Sequence, residues 1–251
     1  MANPLKKRNF RDLSYLVSED GLRLKPGLFL RSSALNKLSK KEQKALADYS
    51  ISEVIDLRTD GEISKKPDAL IEGSVYSHFP IVDAELLGIT HEKGLKGYKA
   101  PPDMPWLYKQ IVTKPTSMNH LGEALRKLFS LEDGSRLWHC SAGKDRCGIL
   151  TALFLVALGY KEEDILKDYE LSDKPNRKKG RLYRNLIMFL LFKRKLAIGV
   201  YKAMLADRAY LLSAFSAMIE KAGSLQNYIL NELNIGLDSI NAFKAKFMIK
   251  A

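Results

Sequence analysis

Cys140 stands six residues before Arg146 in the run Trp138-His139-Cys140-Ser141-Ala142-Gly143-Lys144-Asp145-Arg146-Cys147-Gly148. A short apolar strand enters this run and a strongly apolar stretch, Ile149 to Leu158, leaves it as a helix. A glycine inside such a loop lets the backbone N–H groups of Ser141, Ala142, Gly143 and Lys144 curl around one anion. The helix predicted from near Arg146 points its positive end at Cys140, which lowers the thiol pKa and favours the nucleophilic thiolate. The Arg146 guanidinium can then grip two phosphate oxygens at once. The residues together point to cleavage of phosphate esters through a phosphocysteine: Cys140 attacks phosphorus, while Arg146 and the loop N–H groups stabilise the equatorial oxygens. Asp145, in the same loop, is the expected general acid.

Other readings of the run fit less well. A cysteine is most often an inert core residue, but here it lies on a charged, glycine-bearing loop between strand and helix. A Walker phosphate loop would need Ser or Thr after Gly143-Lys144, where the chain has Asp145. Zinc would need more ligands at the usual spacing than two cysteines and the adjacent His139 offer. The chemistry calls for no metal and no cofactor.

The motif His139-Cys140-x-x-Gly143-Lys144-Asp145-Arg146-x-Gly148 resembles the loop of bacterial cysteine-dependent tyrosine and lipid phosphatases of the LipA and PtpB type. The likeness extends to Asn9-Phe10-Arg11-Asp12, Lys25-Pro26-Gly27, Arg31-Ser32-Ser33-Ala34-Leu35, and Val54 to Thr59 with Glu62 and Pro67-Asp68. It continues at Asp168-Tyr169, Leu171-Ser172 and Gly223 to Tyr228. It implies a protein-tyrosine-phosphatase-like α/β fold with a helical lid, and phosphotyrosine, phosphoserine or phosphothreonine, and phosphoinositide substrates. It also supports Asp145 as the acid, and it makes Lys144 a second positive charge at the rim of the phosphate bowl. The chain departs from the pattern at Cys147, where the family usually has threonine or serine. Two readings of Cys147 stay open: it hydrogen-bonds Cys140 and pairs with it on oxidation, or it fills space with its sulfur turned away. A phosphate-binding module without turnover is the alternative function.

At 251 residues and 46% apolar content, the chain suits one domain, 1–251, with its own core. Two cysteines seven positions apart make no secreted disulfide framework, and the polar, basic N-terminus shows no signal peptide. Cytoplasmic residence is the expectation, with secretion as an effector and a trimmed leader left open. The net charge is +12, and between Lys174 and Lys202 ten Lys or Arg occur with no acid. No nucleic-acid motif accompanies that patch, so nucleic acid is not an expected partner.

The elements that must position the loop are partly legible. Residues 7–35 read as an edge hairpin, Ser39 with Glu42 as a capping box opening a helix, and Ile51 to Leu57 as a buried strand of a mostly parallel sheet. Arg58-Thr59 falls at that strand's carboxyl end, where such sheets bind ligands. Arg11, Asp12, Arg31 and Arg58 either contact ligand there or form an ion-pair network beneath it. Val75 to Ile81 is a further strand delivering Asp83, a supporting residue and, with Asp103, a rival general acid from the long loop 84–105. Arg136 to His139 is the central strand, with His139 expected to hydrogen-bond the loop. Residues 181–197 suggest a basic amphipathic helix within an insertion of about 174–217. It serves as a lid, as a surface for anionic membrane, or as a helix packed on the core.

Overall fold

Strand Ser135–Cys140 is buried along its entire length, as a central strand with helices on both faces must be. The computed structural model describes residues 4–83, 86, 103–191 and 194–251. In chain order the first half forms β1 (Arg11–Asp12), β2 (Leu22–Leu24), β3 (Phe29–Ser33), α1 (Lys40–Ala47), β4 (Ile51–Asp56), α2 (Asp60–Lys65) and β5 (Val75–His78). Next come α3 (Met104–Thr113), α4 (Pro115–Phe129), β6 (Ser135–Cys140), α5 (Asp145–Ala157) and α6 (Glu162–Leu171). The last part is α7 (Asp173–Leu191), α8 (Arg194–Met204), α9 (Arg208–Ala222), α10 (Leu225–Asn227), α11 (Leu237–Phe247) and β7 (Met248–Lys250).

Five strands form one sheet in the order β1-β3-β6-β4-β5. All neighbours are parallel except β1, which runs antiparallel along β3. The α/β class with a mostly parallel sheet is therefore the observed one. Side chains of β6 alternate across it: Trp138 and Cys140 join the larger core with α4, α5, α9 and α11, while Leu137 joins the smaller core with Leu46 of α1. A register shift between Ile51 and Glu53 lets Ile51 and Val54 share that smaller core despite their odd spacing.

The edge hairpin expected over residues 7–35 is present as the antiparallel pair β1 and β3, with β2 looped out between them. β2 leaves the main sheet and pairs with β7, at the far end of the chain. The capping box on α1 is present, with Ser39 and Glu42 each bonding the other's backbone N–H. A second box, Thr59 with Glu62, opens α2 directly after β4. The single helix expected over 181–197 is instead two. α7 ends at Leu191 and α8 starts at Arg194, and the pair packs so that Gly180 and Arg184 meet Tyr201. A Cβ at position 180 would lie 3.1 Å from that ring, so glycine permits the close approach. Most of loop 84–105 lies outside the described residues. None of the helices among the described residues is long and apolar enough to cross a membrane.

Candidate active site

Strand β6 ends on Cys140, and the chain turns through Ser141, Ala142 and Gly143 before α5 begins at Asp145. Gly143 makes that turn possible: its φ is +63°, and a Cβ there would sit 2.6 Å from the carbonyl carbon and oxygen of Ser32. The loop's carbonyls are held from below. Asn9 Nδ2 donates to the Gly143 oxygen at 2.7 Å, and Arg31 Nη2 donates to the same oxygen at 3.0 Å. With carbonyls turned toward these donors, the loop N–H groups are left to face the other way. No side chain caps α5, so the first-turn N–H groups are likewise available to an anion.

The donors beneath the loop form one network. Asp168 of α6 accepts from Arg31 at 2.7 Å, from Arg11 at 2.8 Å and from Tyr15 at 2.5 Å. Arg11 also donates to Asn9 and Ser172. Burial works to raise the Asp168 carboxyl, and the two guanidinium groups overcome it and hold the group below the usual carboxylate range. Arg11 and Arg31 thus belong to an ion-pair network that shapes the loop. Asp12 caps the following turn and accepts from the Gly27 N–H.

A parallel network sits behind β4. Arg58, buried, donates to both oxygens of Asp56 and to Asp68, and Tyr76 donates to Asp56 at 2.6 Å. His139, also buried, lies 3.0 Å from Asp68 Oδ2 without the alignment of a hydrogen bond, and makes none to the loop among the described residues. Asp56, Asp68 and His139 place ligand-type atoms within 4.8 Å of one another. Arg58 donates to both carboxylates, so they are already engaged within the protein. Arg58 and His139 are therefore packed behind the strand ends and support the site from there.

Cys140 is buried, and its thiol is lowered to about 5. The largest cause is donation from the Cys147 thiol. The Arg146 charge and the Cys147 backbone N–H act in the same direction, against burial and the Asp145 charge. The Cys147 sulfur lies 3.7 Å from the Ser32 carbonyl oxygen, to which it donates. Burial and the neighbouring thiolate raise the Cys147 thiol well above its ordinary value, so it stays protonated as a donor.

Arg146 is aimed by a residue whose role is not legible from sequence alone. Glu62, in the first turn of α2, accepts from Nη1 at 2.5 Å and from Nη2 at 2.9 Å. Ser141 and the Thr59 N–H also donate to Glu62. Burial tends to raise this carboxyl, and the Arg146 bonds outweigh it to give about 2. Among the described residues Nε of Arg146 has no acceptor. Its Nε and Nη2 edge therefore remains for two oxygens of a phosphate. The Thr59-x-x-Glu62 capping box was the signal for this contact, visible in the sequence but readable only as a helix start.

Lys144 overturns an expectation. Its ammonium is buried and donates to the carbonyls of Ala203 at 2.6 Å and Leu205 at 2.8 Å, where α8 ends, with Asp145 Oδ1 at 3.1 Å. The free carbonyls of a helix C-terminus attract a cation, so the side chain turns into the protein instead of standing at the rim. Asp145, a quarter exposed, also accepts from Tyr108 at 2.6 Å. The rival acids lie elsewhere: Asp83 pairs with Lys114, and Asp103 caps α3 through the Trp106 N–H.

A family model described as the tyrosine phosphatase family matches residues 5–249. The chain belongs to that family. It is 28% identical over 146 residues to a tyrosine-protein phosphatase of Nostoc commune, covering 57% of this chain and 48% of that one, about half the relative's length. It is 29% identical to the triple specificity protein phosphatase PtpB of Mycobacterium tuberculosis, over 94% of this chain and 95% of that one. Among solved structures, kinase associated phosphatase is similar with a TM-score of 0.31 and 16% identity, covering 70% of this chain and 83% of that one. In this member of the family the arrangement sets a buried cysteine, a guanidinium edge, an uncapped helix start and a carboxyl side by side.

Proposed function

We propose that the protein hydrolyses phosphotyrosine monoesters through a phosphocysteine, with phosphoserine, phosphothreonine and phosphoinositide monoesters as further substrates. The observation that carries this reading is the Cys140 sulfur, lowered to about 5 at the open start of α5 beside Arg146. In-line attack by that thiolate forms the S–P bond as the P–O bond to the leaving group breaks. Ser141, Ala142, Gly143 and Lys144 offer backbone N–H groups, and Arg146 its free edge, to the equatorial oxygens. Asp145 gives its proton to the leaving oxygen and then takes one from the water that releases phosphate. Cys147 steadies the sulfur in both steps. Hydrolysis of p-nitrophenyl phosphate and of a phosphotyrosine peptide, abolished in Cys140→Ser, is the expected result. Binding of phosphate ligands with no turnover, or turnover that survives Cys140→Ser, would overturn it. A panel of phosphoserine peptides and phosphoinositides tests the wider range, which the breadth in the name of the Mycobacterium relative supports.

The phosphoinositide part, and contact with an anionic membrane through 174–202, rest on α7 and α8. Leu182, Leu186 and Phe189 recur on one face of α7 and are exposed, Phe189 by 79%. Arg181, Arg194, Lys195 and Lys202 are exposed on the same two helices. Apolar side chains beside cations suit a surface of anionic lipid. Each such cation contributes about 1 kcal/mol near the membrane, so changing these four to Gln is expected to weaken vesicle binding by on the order of 10³ at low salt. Turnover of a small aryl phosphate should stay near that of the parent. Cosedimentation with phosphatidylserine vesicles measures the first quantity, and unchanged binding leaves α7 and α8 as a lid or as helices packed on the core.

A further inference from the structure

We propose that Tyr108 is a positioning residue that decides which oxygen of Asp145 carries the catalytic proton, and that Tyr169 fixes the direction in which Tyr108 donates. The proposal rests on the reading of Asp145 as general acid. Tyr108 lies on α3 and Tyr169 on α6, and both are fully buried. The Tyr108 hydroxyl is 2.6 Å from Asp145 Oδ1 and 2.6 Å from the Tyr169 hydroxyl.

The direction of these bonds follows from what each group can do. The Asp145 oxygen facing Tyr108 accepts whether it belongs to a carboxylate or is the carbonyl oxygen of the acid, so Tyr108 donates to it, and the Tyr108 oxygen must then accept from Tyr169. Burial, followed by the Asp145 charge, pushes both phenols well above their ordinary value, so both remain donors. The Lys144 ammonium reaches the same Oδ1 at 3.1 Å. With two donors on Oδ1, the acidic proton belongs on Oδ2. A carboxyl pinned by one oxygen has little rotation left to lose when the other protonates a leaving group.

The last glycine of the motif takes its place in this arrangement. A Cβ on Gly148 would lie 2.8 Å from the Tyr169 ring, so only glycine lets that ring settle against the first turn of α5 and reach Tyr108. Tyr108 lies among the buried residues of α3 with Leu107, Ile111 and Val112. Its hydroxyl has a task that a core residue would not need.

The test is a leaving-group series on the full chain, from 2,4-dinitrophenyl phosphate, whose departure needs no proton, to phenyl phosphate, whose departure does. Tyr108→Phe is expected to lower kcat for phenyl phosphate about tenfold at unchanged KM, and to leave dinitrophenyl phosphate within about twofold. Tyr169→Phe, which keeps the bond to Asp145, should show the same pattern more weakly. In an Asp145→Asn background Tyr108→Phe should add nothing, because the group it positions has gone. A loss equal for all leaving groups, or one additive with Asp145→Asn, would overturn the proposal. If Asp145→Asn itself shows no leaving-group dependence, the general-acid reading falls and the proposal falls with it. Dependence in Asp145→Asn but not in Tyr108→Phe removes the proposal alone.

Discussion

Gly143→Ala is expected to lower kcat/KM by on the order of 10³ while the protein remains folded. The new Cβ would stand 2.6 Å from the Ser32 carbonyl and 2.7 Å from the Ser33 nitrogen, all backbone atoms of β3 that cannot swing aside. The residue would also have to hold φ at +63°, a conformation costing a non-glycine residue about 1–3 kcal/mol. The loop must therefore lift from β3, which breaks the bonds from Asn9 and Arg31 to the Gly143 carbonyl. Once that carbonyl is free to rotate, the N–H groups no longer converge on the phosphate. Because the strain is local to the loop, urea unfolding should report a loss of a few kcal/mol, whereas p-nitrophenyl phosphate turnover nearly disappears. Near-parental turnover would show that the loop tolerates another path. Gly134→Ala is a matched control remote from the site: its Cβ would lie 2.7 Å from Ser52, at the opposite end of β6, so it should cost stability and leave kcat in place.

The contrast between Gly143 and Lys144 shows where sequence reasoning succeeds. The strand, the turn, the nucleophile and the helix start lie within about a dozen consecutive residues, so spacing alone orders them. The capping box at Ser39 is legible for the same reason, since both partners lie within one helical turn. Lys144 looks the same in sequence whether its ammonium meets a phosphate or the end of α8, and its partners lie some sixty residues on. The fork of Glu62 on Arg146 and the pairing of β2 with β7 have the same origin, contacts that only the assembled chain creates. The residues Arg11, Arg31 and Arg58 illustrate a subtler limit. Their charge is plain in the sequence, but only the carboxylates of Asp168 and Asp56 decide that it serves the architecture and not the ligand. The amphipathic character of 181–197 is correct for each half, yet the break between α7 and α8 carries no glycine or proline to mark it.

Changing Cys147 is expected to move the acid limb of the pH profile. Its thiol is the largest influence holding Cys140 at about 5. Cys147→Ala removes that donor but keeps the backbone N–H and Arg146. A hydrogen bond to a charged group is worth about 1.5–3 kcal/mol, a thiol sits at or below the lower end, and one pH unit corresponds to about 1.4 kcal/mol. The Cys140 pKa should therefore rise by about one unit. The sign is fixed: with the thiolate destabilised, kcat/KM and alkylation by iodoacetamide both lose rate at pH 5 to 6 and converge with the parent at neutral pH and above. Cys147→Thr should shift in the opposite direction, since a hydroxyl donates more strongly than a thiol. Its larger gain should fall in phosphocysteine hydrolysis, where Cys140 departs as a thiolate, and appear as a smaller pre-steady-state burst. The two cysteines carry one more expected result. Peroxide converts the Cys140 thiolate to sulfenic acid with release of hydroxide, and attack by the Cys147 sulfur then forms the disulfide with release of water. Activity lost to peroxide should return with a dithiol in the parent and not in Cys147→Ala. Mass spectrometry showing sulfinic or sulfonic Cys140 beside a reduced Cys147 would mean that the two sulfurs do not react.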